Sequence, residues 1–189
     1  MIKRFLQQTW LVILSALVFG LLVAGVNSAL TPKIEENKRI KKENALKSLL
    51  PEATEFKNVK AEGFEYTIAL DATGQTVGYA LEAAGSGFAD KIRLLVATGP
   101  DAQTVKGFAV LASSETPGFG DKITSDFFQK QFQNAPANQL EVIKAGQPTK
   151  NQIVAITGAT ISSEAATTIV NSATKNLQAA LANPPTPNE

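Results

Sequence analysis

The chain has 189 residues, which is room for one ordinary domain and an accessory segment. It carries 18 Lys and Arg against 17 Asp and Glu, and because this balance is nearly neutral we expect no nucleic acid partner. It contains neither Cys nor His, which excludes disulfides, thiolate nucleophiles, ordinary iron–sulfur clusters, Ser-His-Asp triads and His-ligated zinc or haem. Any catalysis therefore depends on carboxylates, hydroxyls, lysines or a borrowed cofactor.

An uncharged apolar stretch lies near the N-terminus. No charged residue occurs between Arg4 and Lys33, and 16 of the 22 residues of Thr9–Leu30 are apolar. At 1.5 Å per residue, a helix of this length crosses a hydrocarbon core of about 30 Å. We predict a transmembrane helix over 9–31 that contacts membrane lipid and ends at Pro32. A cleaved signal peptide is the alternative, although its apolar region usually spans only about 7–15 residues.

The charges that flank this stretch leave its orientation open. Two cationic side chains precede it, and a larger cationic group follows: Lys33, Lys38, Arg39, Lys41, Lys42 and Lys47. A positive-inside count would place the following domain in the cytoplasm. Glutamates are mixed with these lysines, however, and long domains translocate largely regardless of charge.

After a charged, helix-favouring segment that ends at Pro51, the pattern changes to that of β-strands. Four segments around Gly-containing turns predict two hairpins: Phe64–Leu70 with Thr76–Ala83, and Lys91–Thr98 with Thr104–Ser113. A helix is predicted over Ser125–Gln133, and short strands near Gln139–Lys144 and Gln152–Ile156. The last helix, Ser162–Ala182, has one apolar face made by Ala166, Val170, Ala173, Leu177 and Leu181.

The predicted fold class is α+β, with a single N-terminal transmembrane helix followed by one domain that has an antiparallel sheet and a C-terminal helix. The predicted organisation is a cytoplasmic segment over 1–8, the membrane helix over 9–31, a stalk helix and linker over 32–60, the domain over 61–183 and a tail over 184–189.

The segment Ile156–Ser163 is the main candidate for a functional site, because it leads from a strand into the last helix through small and hydroxyl residues. Small residues let a ligand approach the backbone, and a helix N-terminus presents free N–H groups with a partial positive charge. These features fit an anion site. They also fit an ordinary capped helix start, for which Ser162 or Ser163 would suffice.

Two motifs in this sequence resemble those of the FMN-binding domain family. Thr157–Ser162 reads TGATIS and matches the family's (S/T)GAT-x-(S/T) flavinylation signature, and Glu115–Ile123 is similar to its ETPG-(L/F)-G loop. Together with the single N-terminal anchor, these motifs resemble the G subunits of Rnf ion-translocating electron transport complexes. The C subunits of Na⁺-translocating NADH:quinone reductases share the domain.

This resemblance implies a covalent flavoprotein in which FMN is joined through a phosphoester to Thr160. The other cofactor-binding residues that it suggests lie in the two motifs: Thr157, Gly158, Ala159, Ser162, Ser163, Glu115, Thr116, Pro117, Gly118 and Phe119. The implied function is that of an electron-transfer subunit, without substrate turnover of its own, in ion-coupled transfer between ferredoxin and NAD. Its implied location is the outer face of a bacterial or archaeal cytoplasmic membrane, and its partners are the other subunits of an Rnf-type complex.

A separate flavin transferase is also implied. A Thr hydroxyl is a poor nucleophile without a base, and this chain has no His or Cys to activate it. The phosphoester keeps one negative charge, which a helix N-terminus stabilises by only about 0.3–1 kcal/mol. Because that is too little to hold a cofactor, a covalent bond suits an otherwise exposed flavin.

Several interpretations stay open at this point. Glu115 either contacts the flavin or satisfies backbone N–H groups of its loop, and Phe119 packs against either the flavin or an ordinary core. Gly85–Phe88 resembles a glycine-rich loop of the family but also fits a plain turn. The sequence departs from the family at Val154, where Asp is frequent, and at Ser113, near which a His is common.

Two other functions remain possible from the sequence. The same flavin domain would serve a Na⁺-translocating quinone reductase or another respiratory system. Alternatively, the chain is a non-redox, membrane-anchored assembly subunit in which the hydroxyl-rich loop only caps a helix. The acidic residues are too scattered to propose a metal site.

Overall fold

A computed structural model describes residues 2–61, 63–137 and 139–182, with side chains described from residue 9 onward. The chain divides into two compact units, Met1–Lys41 and Lys42–Glu189. The predicted tail over 184–189 lies outside the described residues.

The helices and strands follow one another along the chain in this order: α1 (Ile2–Leu49), β1 (Glu55–Ala61), β2 (Phe64–Leu70), β3 (Thr76–Ser86), β4 (Lys91–Thr98), β5 (Thr104–Ala112), a 3₁₀ turn (Gly120–Thr124), α2 (Asp126–Gln129), a second 3₁₀ turn (Lys130–Phe132), β6 (Ala135–Pro136), β7 (Glu141–Ile143), β8 (Gln152–Val154) and α3 (Thr160–Ala182).

Helix α1 runs without interruption through Pro32, so the predicted stop at this residue is wrong. Proline removes a single backbone donor, so the loss of hydrogen bonding is confined to one turn of the helix. Beside it, the Thr31 hydroxyl donates to the Asn27 carbonyl at 2.7 Å. Among the described residues, the helical segment Thr9–Leu49 is the one that is long and apolar enough to cross a membrane, judged by length and composition.

The domain contains a six-stranded antiparallel sheet in the order β1 to β6, so each strand pairs with its neighbour in sequence. Both predicted hairpins are confirmed, and they are joined because β3 also pairs with β4. In the turn between β2 and β3, the Asp71 carboxylate accepts hydrogen bonds from the backbone N–H groups of Thr73 and Gln75 at 2.8 and 2.9 Å. Strand β1 was not predicted.

One face of the sheet packs against α3. The predicted apolar face of this helix is buried there, with Ala166, Val170, Ala173 and Leu177 inaccessible to solvent and Leu181 partly buried. Gly85 in β3 allows close packing, because a Cβ atom at this position would lie 2.6 Å from Ile169 Cγ1. The α+β class with a C-terminal helix is therefore confirmed.

The opposite face is covered by the end of α1. Leu46 and Leu50 form a second apolar cluster with sheet residues Ala69, Ala80 and Leu95. Lys42 at the start of this unit pairs with Glu82 of β3 at 2.9 Å. The sheet is thus buried on both faces, which explains why β4 is apolar along most of its length.

The segment after β5 is less helical than predicted. Of the predicted helix over Ser125–Gln133, only α2 is α-helical, and 3₁₀ turns precede and follow it. Phe128 and Phe132 nevertheless lie on one side, where both pack edge-on against Phe108 of β5. The predicted short strands are present as β7 and β8, which pair in parallel and lead into the turn before α3.

Candidate functional site

An apolar cleft of about 530 Å³ lies at the N-terminal end of α3. It is lined by residues from three segments that are distant in sequence: Phe88, Thr116, Phe119, Gly120, Gly158, Ala159, Thr160, Ile161 and Ser162. The three segments are the turn after β3, the loop after β5, and the junction between β8 and α3. The loops therefore present the cleft, while the sheet and α3 hold them in place.

The junction before α3 is a tight turn. The Ala159 N–H donates to the Ile156 carbonyl at 2.9 Å, and Gly158 between them has φ +80°, a conformation that glycine adopts at little cost. The ring of Phe119 lies directly against Gly158. Thr160 follows this turn as the first residue of α3. It is half-buried and lines the cleft.

The first turn of α3 offers an anion-binding surface beside the Thr160 hydroxyl. Within the described part of the chain, the backbone N–H groups of Thr160, Ile161 and Ser162 make no hydrogen bond. The first residue to donate is Ser163, whose N–H reaches the Ala159 carbonyl at 3.0 Å. Free N–H groups and the helix dipole both favour a negatively charged group at this position.

The two serines that follow Thr160 face inward. Ser163 is fully buried, where its hydroxyl donates to the Ala159 carbonyl at 2.9 Å and accepts from the Ile156 N–H at 3.0 Å. It therefore caps the junction and does not line the cleft. Ser162 lines the cleft, but its hydroxyl donates to Glu115 Oε2 at 2.5 Å.

Glu115 lies behind the cleft wall, with only 6% of its surface exposed. Its Oε1 atom accepts hydrogen bonds from the backbone N–H groups of Phe88 at 2.9 Å and Ala89 at 3.1 Å. Of the two roles that the sequence left open, the structure gives Glu115 contacts to backbone N–H groups and no place in the lining.

Six of the eleven residues suggested by the motifs line the cleft: Thr160, Gly158, Ala159, Ser162, Thr116 and Phe119. The other five lie outside the lining: Thr157, Ser163, Glu115, Pro117 and Gly118. Thr157, Pro117 and Gly118 are exposed, whereas Ser163 and Glu115 are buried.

Three lining residues were absent from the predicted set, namely Phe88, Gly120 and Ile161. Gly120 and Ile161 stand inside the two recognised motifs. The signal for Phe88 was its position next to the glycine-rich segment Gly85–Gly87.

Apolar and aromatic side chains dominate the rim of the cleft. Phe88 is 64% exposed and Phe119 is 52% exposed, and Ile161 is similarly open. Large apolar groups at this exposure, grouped around one concavity, are typical of a ligand-binding surface. Lys122 places its amino group 5.9 Å from the centre of the Phe119 ring and adds a positive charge at this side of the cleft.

Comparison with known proteins identifies the class of protein to which the domain belongs. Residues 87–175 match the family model of the FMN-binding domain, and this match includes both motifs and all of the cleft-lining residues. Solved structures agree in fold. NqrC of Shewanella oneidensis has a TM-score of 0.52 and 19% identity, covering 68% of this chain and 72% of that one. The C subunit of the Na⁺-translocating NADH-quinone reductase from Parabacteroides distasonis has a TM-score of 0.52 and 20% identity, covering 66% and 65%.

Sequence relatives define the family more narrowly. The G subunit of an ion-translocating oxidoreductase complex from Methanosarcina acetivorans is 36% identical over 137 residues, which is 68% of this chain and 71% of the relative. The G subunit of the proton-translocating ferredoxin:NAD⁺ oxidoreductase complex of Clostridium ljungdahlii is 32% identical over 165 residues, 87% of this chain and 86% of the relative. The chain belongs to the family of G subunits of ion-translocating oxidoreductase complexes, as its motifs predicted.

Proposed function

We propose that this chain is a membrane-anchored flavoprotein subunit that relays electrons within an ion-translocating oxidoreductase complex, with FMN esterified to Thr160. The observation that carries the proposal is that the half-buried Thr160 hydroxyl, three free N–H groups and an apolar cleft meet at one helix N-terminus. When bound, FMN supplies the redox chemistry, and the protein contributes position and environment.

The residues of the cleft fit both ends of this cofactor. The phosphate requires a covalent attachment point and N–H donors, which Thr160, Ile161 and Ser162 supply. The flavin ring requires a flat apolar surface, for which the side chains of Phe88, Phe119 and Ile161 are available. Electrons have to enter and leave through the open side, and therefore the exposure of the cleft suits a carrier between partners.

Attachment requires a second protein. In forming the ester, the Thr160 oxygen loses its proton and bonds to the phosphorus of FMN, while the donor, a flavin nucleotide activated as a phosphoanhydride, loses the bond between that phosphorus and its bridging oxygen and releases the second phosphate group. No His or Cys exists in the chain to accept that proton, so we propose that a flavin transferase supplies the base.

The coupled reaction that we propose is electron transfer between ferredoxin and NAD. Its support is the similarity to the Clostridium ljungdahlii protein, whose name specifies this reaction and which aligns over most of both chains. A role in a quinone reductase has weaker support, because the two solved C subunits named above are 19% and 20% identical to this chain and share the fold alone.

We further propose a single membrane span over 9–31, with the domain on the outer face of the cytoplasmic membrane. This orientation follows the family that the motifs resemble, whereas the flanking charges favour the opposite one. The chain has no native Cys, so a single Cys introduced at the exposed Thr73 gives a clean probe. An impermeant maleimide should label it in intact cells, and labelling only after lysis would reverse the orientation.

The attachment is tested by expressing the full chain together with a flavin transferase. The wild-type band should fluoresce under ultraviolet light in a denaturing gel, whereas Thr160→Val should be dark. Valine is close in shape to threonine, so the variant should keep the wild-type melting temperature. Thr168→Val is the matched control, because Thr168 is an exposed hydroxyl on the same helix, outside the flavinylation signature and outside the cleft lining.

The control should stay fluorescent, and peptide mass mapping should find the flavin on the peptide that contains residue 160. A dark wild-type band despite an active transferase would refute the flavoprotein proposal and leave the assembly subunit as the alternative. Fluorescence retained in Thr160→Val would place the attachment on another residue.

A further inference from the structure

The Glu115 carboxylate connects the three segments that line the cleft. It belongs to the loop after β5 and accepts the N–H groups of Phe88 and Ala89 from the turn after β3. Its second oxygen accepts the Ser162 hydroxyl from the first turn of α3. Phe88 is 27 residues and Ser162 is 47 residues away in sequence, so these bonds hold together segments that are distant along the chain.

Two glycines leave the space that this carboxylate occupies. A Cβ atom at Gly120 would lie 2.7 Å from Glu115 Oε2 and 2.7 Å from Ser162 Oγ. A Cβ atom at Gly87 would overlap Glu115 Oε1. A larger residue at either position would therefore collide with the Glu115 side chain, and at Gly87 it would also lie 2.8 Å from the Asp90 carbonyl oxygen and from Ile92 Cδ1.

The turn that carries Phe88 depends on these hydrogen bonds. Phe88 and Ala89 are exposed residues, yet their N–H groups point inward to Glu115. Within the turn, the Gly87 N–H also donates to the Asp90 carbonyl at 2.8 Å, which closes the turn on itself but does not fix it to α3. The bonds to Glu115, and through it to Ser162, connect Phe88 to the helix that carries Thr160.

We propose that Glu115 is a positioning residue for the flavin: without touching the cofactor, it fixes Phe88 against the first turn of α3 and so sets the width of the cleft. This inference rests on the proposed function. Glu115 acts by accepting hydrogen bonds, and glutamine can reproduce that role. The glutamine carbonyl oxygen would accept the two N–H groups, and its amide would donate to Ser162 Oγ.

The test compares Glu115→Gln and Glu115→Ala in the full chain, with Ser114→Ala as the matched control. Ser114 is the exposed neighbour of Glu115, and its side chain makes no hydrogen bond among the described residues. The first measurement uses protein made without transferase and follows amide hydrogen exchange of the segment 87–90. Because bonds to a charged acceptor are lost, exchange at Phe88 and Ala89 should accelerate about tenfold or more in Glu115→Ala. Glu115→Gln should exchange more slowly than Glu115→Ala, because its neutral carbonyl oxygen still accepts both N–H groups, and Ser114→Ala should keep wild-type exchange.

The second measurement uses protein made with transferase and records the visible circular dichroism of the bound flavin. Glu115→Ala should lose most of this signal because the ring is no longer held between fixed surfaces, and Glu115→Gln should restore it. If both measurements for Glu115→Ala equal those of wild type, or if glutamine fails to rescue either, the inference is overturned. A wild-type protein that never acquires flavin refutes the proposed function instead, and the exchange measurement still decides the role of Glu115.

If Glu115→Ala does not fold, Gly120→Ala replaces it. The backbone at Gly120 is not in the left-handed region, so alanine acts there through its Cβ atom, whose three nearest atoms would be Glu115 Oε2 and Ser162 Oγ at 2.7 Å and Glu115 Cβ at 2.9 Å. We expect faster exchange at Phe88 and Ala89, which lie in a different loop from the substituted residue. Unchanged exchange in this variant would overturn the inference.

Discussion

Replacing Gly158 with alanine should reduce flavin attachment by more than its effect on the stability of the domain explains. Its φ of +80° costs an L-amino acid about 1–2 kcal/mol. In addition, an alanine Cβ would lie 3.0 Å from Cδ1 and 3.2 Å from Cε1 of Phe119. Because that ring is half-exposed, it can move by the few tenths of an ångström needed, at the expense of its place in the cleft.

Gly74 provides a matched control for the backbone cost. It also has φ +80°, in the turn between β2 and β3, and nothing lies within 4 Å of the position that a Cβ atom would take there. Gly158→Ala and Gly74→Ala should therefore each lower the free energy of unfolding by about 1–2 kcal/mol, which corresponds to roughly 2–8 °C in melting temperature. Only Gly158→Ala should also reduce covalent flavin, measured as in-gel fluorescence per mole of protein.

Two outcomes would refute this reasoning. If Gly158→Ala melts and loads flavin like wild type, the left-handed turn and the Phe119 contact do not constrain the site. If Gly74→Ala loses as much flavin as Gly158→Ala, the loss reflects general destabilisation, and the position of Phe119 is irrelevant.

Two further predictions concern the domain itself. Phe108→Ala should lower the free energy of unfolding by about 3–5 kcal/mol in urea titrations, because Phe108 is 1% exposed and packs edge-on against Phe132. Phe127→Ala is the control: at 57% exposure, it should change the free energy of unfolding by less than about 0.5 kcal/mol. Equal losses in the two variants would contradict the assignment of Phe108 to the core. Hydrogen bonds from Thr73 and nearby backbone N–H groups lower the pKa of Asp71, so its stabilising contribution is complete above the unfolded pKa of about 3.9 and is lost as pH falls through the folded value. The melting temperature of Asp71→Asn should accordingly fall below that of wild type at pH 7 and approach it near pH 3, and parallel pH profiles would contradict this.

The hairpins and α3 were predictable because their signals are local. The alternation of apolar residues in Phe64–Leu70 and the turn chemistry of Asp71 to Gly74 are readable from adjacent positions. Strand β1 was missed because it is an exposed edge strand, EFKNVKA, with almost no apolar alternation. It pairs with β2 through backbone hydrogen bonds, and the pattern of its side chains does not indicate this pairing.

The candidate site was only half predictable for the same reason. The sequence located Thr160 and the loop from Glu115, since both belong to contiguous motifs. It gave no indication that Glu115 reaches across to Phe88, because that contact depends on how β3, β5 and α3 are placed in space. The wrong prediction at Pro32 has a different origin, since a proline by itself predicts the end of a helix, whereas α1 continues through this one.

The packing of residues 42–50 on the sheet also bears on how the domain is to be prepared in water. A fragment cut at Ala61 would lose an entire edge strand and would leave Ala69, Ala80 and Leu95 without the leucines that shield them. The resulting exposed apolar surface should promote aggregation, whether or not flavin is attached. A fragment that begins at Lys42 keeps Leu46 and Leu50 on the sheet and omits the apolar N-terminal stretch. We therefore expect a soluble form of the domain to require residue 42 as its start.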